Sequence, residues 1–428
     1  MRVLRVPVLC SILAAVLLTS VPAGIAPSAA AGTAPEHHVS YADWSNRAEL
    51  SRGVHQGTWV RRGALGLHRP VGTRWYRDPH TDRPARRYEY ARWRSPWKRT
   101  RFGLTELVAS WNASTPGHSW VEIEMRGTTE TGQRSTWYVL GRWAAGGRAL
   151  RRTSADSQSD GIGAVATDTF RTAGGHRLRN WQLRVTLLRP VGGAAQPRVR
   201  SVGAMASRVS VDAVDTASRR RSAGRTVLPV PTYSQQKHAG RYEQWGGGGE
   251  AWCSPTSTAM VLRYWGSGPK PAEYRWVRPK DDPWVVHAAR GSYDYRYDGA
   301  GNWPFNTAYA GRYGMHAFVT RLRSLTEAER FIDAGIPLVV SVSFDRDDLP
   351  QAGYSTAGHL LVIVGFDRRG NVVVNDPASH LEPRNDQVRV HYNRKNFENA
   401  WLPHSGGLTY VIHPRSVPLP PAPRQANW

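Results

Sequence analysis
Three side chains in the second half of the chain are of the types that nucleophilic chemistry needs: Cys253, His359 and Asp376. A thiol attacks as its thiolate, a histidine takes and returns the proton, and a carboxylate fixes the imidazole in one tautomer. Cys253 lies in GGGGEAWCSPTSTAMVLRYWG (246–266), just before a run with helix signals. There its sulfur would face unsatisfied backbone N–H groups and the positive end of the helix dipole, which favours the thiolate. On position alone, a nucleophile and a buried structural cysteine are equally consistent. His359 and Asp376 stand at the start and end of an apparent hairpin. If its turn DRRG pairs Asp367 with Gly370, Asp376 falls opposite Leu361. His359 is two residues from Leu361 on the same face, so the two side chains are diagonal neighbours. A slip of one residue would put them on opposite faces. Each also has a plain structural reading, a core histidine and a turn aspartate before Pro377.

The other histidines offer less. His287 and His316 have no carboxylate at a suitable offset, and His37, His38 and His404 lie in polar stretches. No HExxH or paired-cysteine spacing supports a metal site, and no cofactor is expected.

The elements around these residues read as an α+β unit. SPTSTAMVLRYWG is a helix that Ser254 could cap, with Pro255 in the first turn and Gly266 at the end. SLTEAERFIDAG (324–335) carries a capping-box pattern, Ser324 to Glu327, and a terminating Gly335. Strand-like runs follow at 337–344, 359–366 and 371–376, so helices precede an antiparallel sheet. The first half differs. Segments 106–113, 119–127, 135–143, 163–170 and 181–190 are short, rich in Val, Trp, Tyr and Leu, and separated by turn residues. They predict an all-β sandwich over 36–215, joined by a small, basic linker (216–226) to a second domain over 227–415. The proline-rich tail 416–428 is expected to be disordered.

Arg2 and Arg5, the apolar run Val6–Leu18 and the small residues before Gly32 read as a signal peptide, residues 1–31. The apolar core is too short to span a bilayer, and no later run is long enough. A secreted protein is therefore expected. Cys10 would leave with the signal, and Cys253, the other of the chain's two cysteines, would have no second cysteine to bond. The net charge of +24 would attract polyanions. The excess is almost all arginine, spread along the chain without zinc-finger spacing, RNP-like aromatics or a basic heptad helix, so specific nucleic-acid recognition is not expected.

Five stretches together, LPVPTYSQ (228–235), WCSPTSTAMVLRYWG (252–266), GIPLVVSV (335–342), GHLLVIVGFD (358–367) and VVVNDPAS (372–379), resemble the successive motifs of the C39-like peptidases. The resemblance covers about residues 227–415 and implies a papain-like fold. It implies Cys253 as nucleophile, His359 as general base and acid, and Asp376 as the group that orients the imidazole. Gln235 would supply a side-chain N–H to the oxyanion hole, with the Cys253 backbone N–H as second donor. The chain departs from the pattern in two places: Ser254 follows the cysteine where the family usually has glycine, and the interval from Gln235 to Cys253 is long and glycine-rich, which keeps Gln244 as a weaker candidate. No P-loop or spanning helix accompanies the domain, so the leader-trimming export role of the membrane-fused relatives does not carry over.

The expectation is a secreted cysteine peptidase acting on a peptide or protein, with cell-wall peptide or glycan as further possible partners. Its rivals are an acyltransferase or amidase on cell-wall peptides, and a catalytically silent wall- or glycan-binding protein. The insert 292–314 is expected to form one wall of the cleft. The first half resembles lectin-like or galactose-binding-like sandwiches by texture only. Trp111, Trp120, Trp137 and Trp143 could form a ligand platform, but strand tryptophans more often fill cores. Substrate and oligomeric state are not legible.

Overall fold
Branched and aromatic residues at alternating positions build the first half into two antiparallel sheets. The computed structural model describes residues 37–428 apart from 148, 156, 211 and 222–223, so the expected signal peptide lies outside the described residues. One sheet runs Gln158–Ser159, Gly163–Ala166, Thr169–Thr172, Glu106–Ser114, Arg198–Val209, Ala64–Leu67, Thr58–Arg61. His37–Trp44 also pairs with Arg198–Val209. The other sheet runs Tyr138–Trp143, Trp120–Thr129, Leu178–Pro190, Arg86–Arg94, Val54–Gln56, with Gly72–Tyr76 and Lys98–Leu104 paired alongside. Between them Trp44 meets Trp93 and Trp181 edge-on, at 5.6 and 6.0 Å. The run 163–170 is not one strand. Thr167, at φ 55°, turns it into a hairpin. Trp111, Trp120 and Trp143 are buried in the core. Trp137 is half-buried beneath the guanidinium groups of Arg126 and Arg184.

In the second half, helices Cys253–Tyr264, Pro283–Ser292 and Trp303–Arg312 pack together beside an antiparallel sheet. Its order is His316–Arg321, Leu408–His413, Leu338–Phe344, Thr356–Phe366, Val372–Asn375, Arg389–Tyr392, with Thr226–Val227 on Thr356–Phe366. Two expected caps do not form. The first helix begins on Cys253 itself, and Ser254 turns its hydroxyl to Tyr410 Oη at 3.0 Å, because both are buried and need a partner. Glu327 accepts from the Arg323 backbone N–H at 2.8 Å instead of boxing Ser324. Gly335, at φ 76°, does follow the end of that helix.

The two halves share one hydrophobic core. Strand His316–Arg321 lies at a sheet edge, and the side chains of Glu106–Ser114 satisfy its backbone. Asn112 donates to the Ala317 carbonyl at 2.9 Å and accepts its N–H at 3.1 Å, while Ser110 Oγ accepts from the Val319 N–H at 2.8 Å. Gly311 permits the approach, since a Cβ there would sit 2.6 Å from the Asn112 amide nitrogen. Residues 303–312 of the insert form a helix. Asn302 caps it through the Phe305 N–H, Pro304 sits in the first turn, and Phe305 packs on Trp111 and Trp143 of the first half.

The expected linker is pinned: the Ser218 N–H donates to Glu398 at 2.8 Å and Arg394 donates to the Ser218 carbonyl at 2.8 Å. Nor is the tail disordered. Tyr41 N–H donates to the Ala426 carbonyl, Asn427 donates to the Arg321 carbonyl at 2.7 Å, and the Trp428 ring meets Phe331 at 4.9 Å. Its last two side chains outweigh the proline content that suggested disorder.

Candidate active site
The hairpin that carries His359 and Asp376 reaches the expected register by an unexpected route. At the tip Asp367 N–H donates to the Asn371 carbonyl at 3.0 Å, so Asp367 faces Asn371 rather than Gly370. Phe366 then pairs with Val372 and Gly365 with Val373. A bulge between Ile363 and Gly365 takes up one residue, and beyond it Ile363 faces Val374 and Val362 faces Asn375. The bulge lies where Val227 pairs on the other side, and a Cβ on Gly365 would come within 2.1 Å of the Thr226 carbonyl. Continued, this register puts Asp376 across from Leu361, and His359 Nε2 lies 2.8 Å from Asp376 Oδ1.

Both groups are buried, His359 at 2% exposure and Asp376 at 0%. Asp376 also accepts from Tyr354 Oη at 2.9 and 3.1 Å, from Tyr392 Oη at 2.7 Å and from the Ala378 N–H at 2.9 Å. Burial by itself would push its carboxyl up. The His359 charge and the hydrogen bonds from His359, Tyr392 and Ala378 outweigh it and hold the pKa below the ordinary carboxylate value. An ionised carboxylate only accepts, so the His359 proton sits on Nε2 and Nδ1 is left as the basic nitrogen.

Cys253 is buried at the first position of its helix, which packs against the His359 strand. One turn on, Ser257 Oγ donates to the Leu360 carbonyl at 3.0 Å, fixing the helix next to His359. Burial, then the charges of Asp376 and Tyr392 and the hydrogen bond to Asp376, with Cys253 the smallest contribution, push the Tyr354 hydroxyl well above its ordinary pKa.

Gln235 opens a short 3-10 turn, and its N–H donates to the carbonyl of Pro377, the residue after Asp376, at 2.9 Å. Its side-chain Nε2 donates to the Glu250 carbonyl at 2.7 Å, three residues before Cys253, while Oε1 is buried with no partner. The glycine-rich interval explains this closeness, because a Cβ on Gly249 would come within 2.4 Å of the Gln235 carbonyl. Gln235 thus lies between the Asp376 and Cys253 segments, whereas Gln244 is exposed on a separate turn. His287 bonds Tyr309, and His316 bonds Asp43, a carboxylate that sequence offsets could not pair with it from 273 residues away. Among the described residues, no group of three His, Cys, Asp or Glu side chains could hold a metal ion. The sequence reading missed Tyr354 and Tyr392, which hold Asp376 from 22 residues before and 16 after, and no motif marked them.

Residues 227–408 match the Peptidase_C39 like family, and residues 40–207 match the Peptidase C39 N-terminal domain. No curated protein sequence matches the chain. Similar solved structures include a C39-like peptidase from Bacillus anthracis, 18% identical, covering 44% of this chain and 96% of that one, with a TM-score of 0.28. Another is a fragment of Prevotella intermedia prointerpain A, 16% identical, covering 47% and 75%, with a TM-score of 0.27.

Proposed function
The chain belongs to the C39-like peptidases, and from that premise we propose that it is a secreted cysteine peptidase with a papain-like second half and a Cys253–His359–Asp376 triad. The observation that carries the triad is the buried 2.8 Å bond from His359 Nε2 to Asp376, set beside the helix that Cys253 begins. In this reading His359 Nδ1 takes the proton of the Cys253 thiol, and the thiolate attacks the peptide carbonyl carbon. The C–N bond breaks, His359 Nδ1 gives its proton to the leaving amine, and a thioester remains. Water then adds with His359 as base, releasing the carboxylic acid and restoring the thiol.

Two donors face the developing oxyanion. The family resemblance assigns one role to the Cys253 backbone N–H, which stands at the start of its helix. Gln235 takes the other: Glu250 holds one hydrogen of its amide, and the second is available. Burial lowers the local dielectric and strengthens each of these interactions. The test is turnover of labelled peptides and purified wall fragments by the wild type and by Cys253→Ala. The substitution should abolish turnover with little change in the unfolding midpoint. Turnover that persists in Cys253→Ala would refute the reading, and product analysis with an added amine separates hydrolysis from transfer.

A further inference from the structure
A cavity of about 550 Å³ opens where the two halves meet, away from the residues of the triad. Arg151, Arg152 and Arg200 of the first half and Arg290 and Arg312 of the second line it, with Glu273 as the lining carboxylate. Glu273 is taken by Arg312. The other four arginines form no ion pair among the described residues. Three are instead held in place by neutral groups. Arg151 donates to Tyr295 Oη at 2.9 Å, Arg152 to the Ala144 carbonyl at 3.0 Å, and the Arg290 guanidinium lies 4.7 Å from the Trp276 ring centre.

Arg152 is the telling case. It is 4% exposed, and its Nε, like that of Arg151, is buried without a hydrogen-bond partner. Burial, reinforced by Arg312, Arg290 and Arg151 against an opposing Tyr295, lowers its pKa to about 10, still charged at neutral pH. A buried cation without an anion is expensive, and proteins keep one where something supplies the charge. Burial, then Arg312, Arg290 and Arg152, push the neighbouring His287 down to about 3, so it adds no charge at neutral pH.

We propose that this cavity binds a small phosphate-bearing anion, a phosphate or diphosphate ester, between the two halves. Guanidinium groups meet phosphate oxygens in bidentate pairs, and several converging on one space match a multiply charged group better than a lone carboxylate. The volume lies in the range of small-molecule pockets and leaves room for an organic portion. Peptide hydrolysis neither makes nor consumes phosphate, so the site serves recognition or control rather than the reaction. Because the arginines come from both halves, occupancy ties the halves together.

The test is calorimetric titration of the full chain with inorganic pyrophosphate and with ADP at fixed ionic strength, alongside thermal unfolding. Because Arg152 is buried, the variants are the exposed Arg200→Gln and Arg290→Gln, with Arg99→Gln at a separate basic concavity as control for the general positive charge. One saturable site is expected, with a higher unfolding temperature on binding. Affinity should fall about tenfold or more in Arg200→Gln and Arg290→Gln and stay unchanged in Arg99→Gln. Tighter binding of ADP than of pyrophosphate would place the organic portion in the cavity. Non-saturating binding, or equal weakening in all three variants, would overturn the proposal.

Discussion

Replacing Asp376 by asparagine removes a charge and keeps the shape, which separates the chemical role of the carboxylate from its structural one. Its two oxygens accept from His359, Tyr354, Tyr392 and the Ala378 N–H at 2.7–3.1 Å. An amide can keep its oxygen towards His359 and Ala378, and both tyrosine hydroxyls can rotate to accept from its NH2. The fold should survive at a cost of about 2–3 kcal/mol, the gap between charge-assisted and neutral bonds at two or three contacts. Alanine would instead strand four buried donors at about 1–3 kcal/mol each, so Asp376→Ala should unfold in far less urea. The thiolate–imidazolium pair suffers differently. Opposite charges 4 Å apart at an effective dielectric of about 20 attract by about 4 kcal/mol, and losing about 3 of these slows reaction of Cys253 roughly a hundredfold. The assay is the rate of iodoacetamide alkylation of Cys253 near neutral pH, read by mass spectrometry beside urea midpoints, with His359→Ala as comparator. Asp376→Asn should be slow and folded, and His359→Ala slower still. Alkylation of Asp376→Asn at the wild-type rate would show that the carboxylate is not coupled to the thiol and would refute the triad.

Other outcomes follow from the same geometry. The Asp376 pKa is lowered in the fold, so its contribution to stability is complete above about pH 4 and is lost as pH falls through the folded value; acid unfolding below pH 4 should therefore be shallower in Asp376→Asn. Gln235→Ala should slow the chemical step roughly a hundredfold with little change in binding, and Gln244→Ala, on an exposed turn, should leave turnover unchanged; the reverse order in single-turnover kinetics would exchange their roles. Residues 227–415 expressed alone should aggregate or give poorly dispersed amide spectra, because the fragment exposes Phe305, Phe318 and the backbone that Asn112 and Ser110 satisfy; a sharp native spectrum would contradict the shared core.

The site was more legible than its surroundings, for reasons of range. A hairpin is a local object, and His359 and Asp376 fell on one face as expected because the bulge cancelled the one-residue error in the pairing assumed at its tip. The bulge at Gly365 was not visible, because the strand that demands it arrives from residues 226–227. The same limit explains Ser254, whose partner Tyr410 lies 156 residues away and draws it from a capping role. The helix at 303–312 was the avoidable miss, since Asn302 and Pro304 are an ordinary start signal. Its apolar residues face a sheet of the other half, so a reading that treated the halves separately had nothing for them to pack on.

The shared core also bears on how such a chain can be inherited. Accessory domains move between proteins when few contacts cross their boundary. Here Asn112, Ser110 and Trp111 on one side fit Ala317, Val319 and Phe305 on the other, and Arg321 reaches across to Glu106 at 2.6 Å. Grafting a different sandwich onto residues 227–415 would leave that edge strand without its side-chain partners and Arg321 without its carboxylate. The two halves are therefore constrained to change together, and a recombination breakpoint at residues 216–226 would be selected against despite the loop-like composition there.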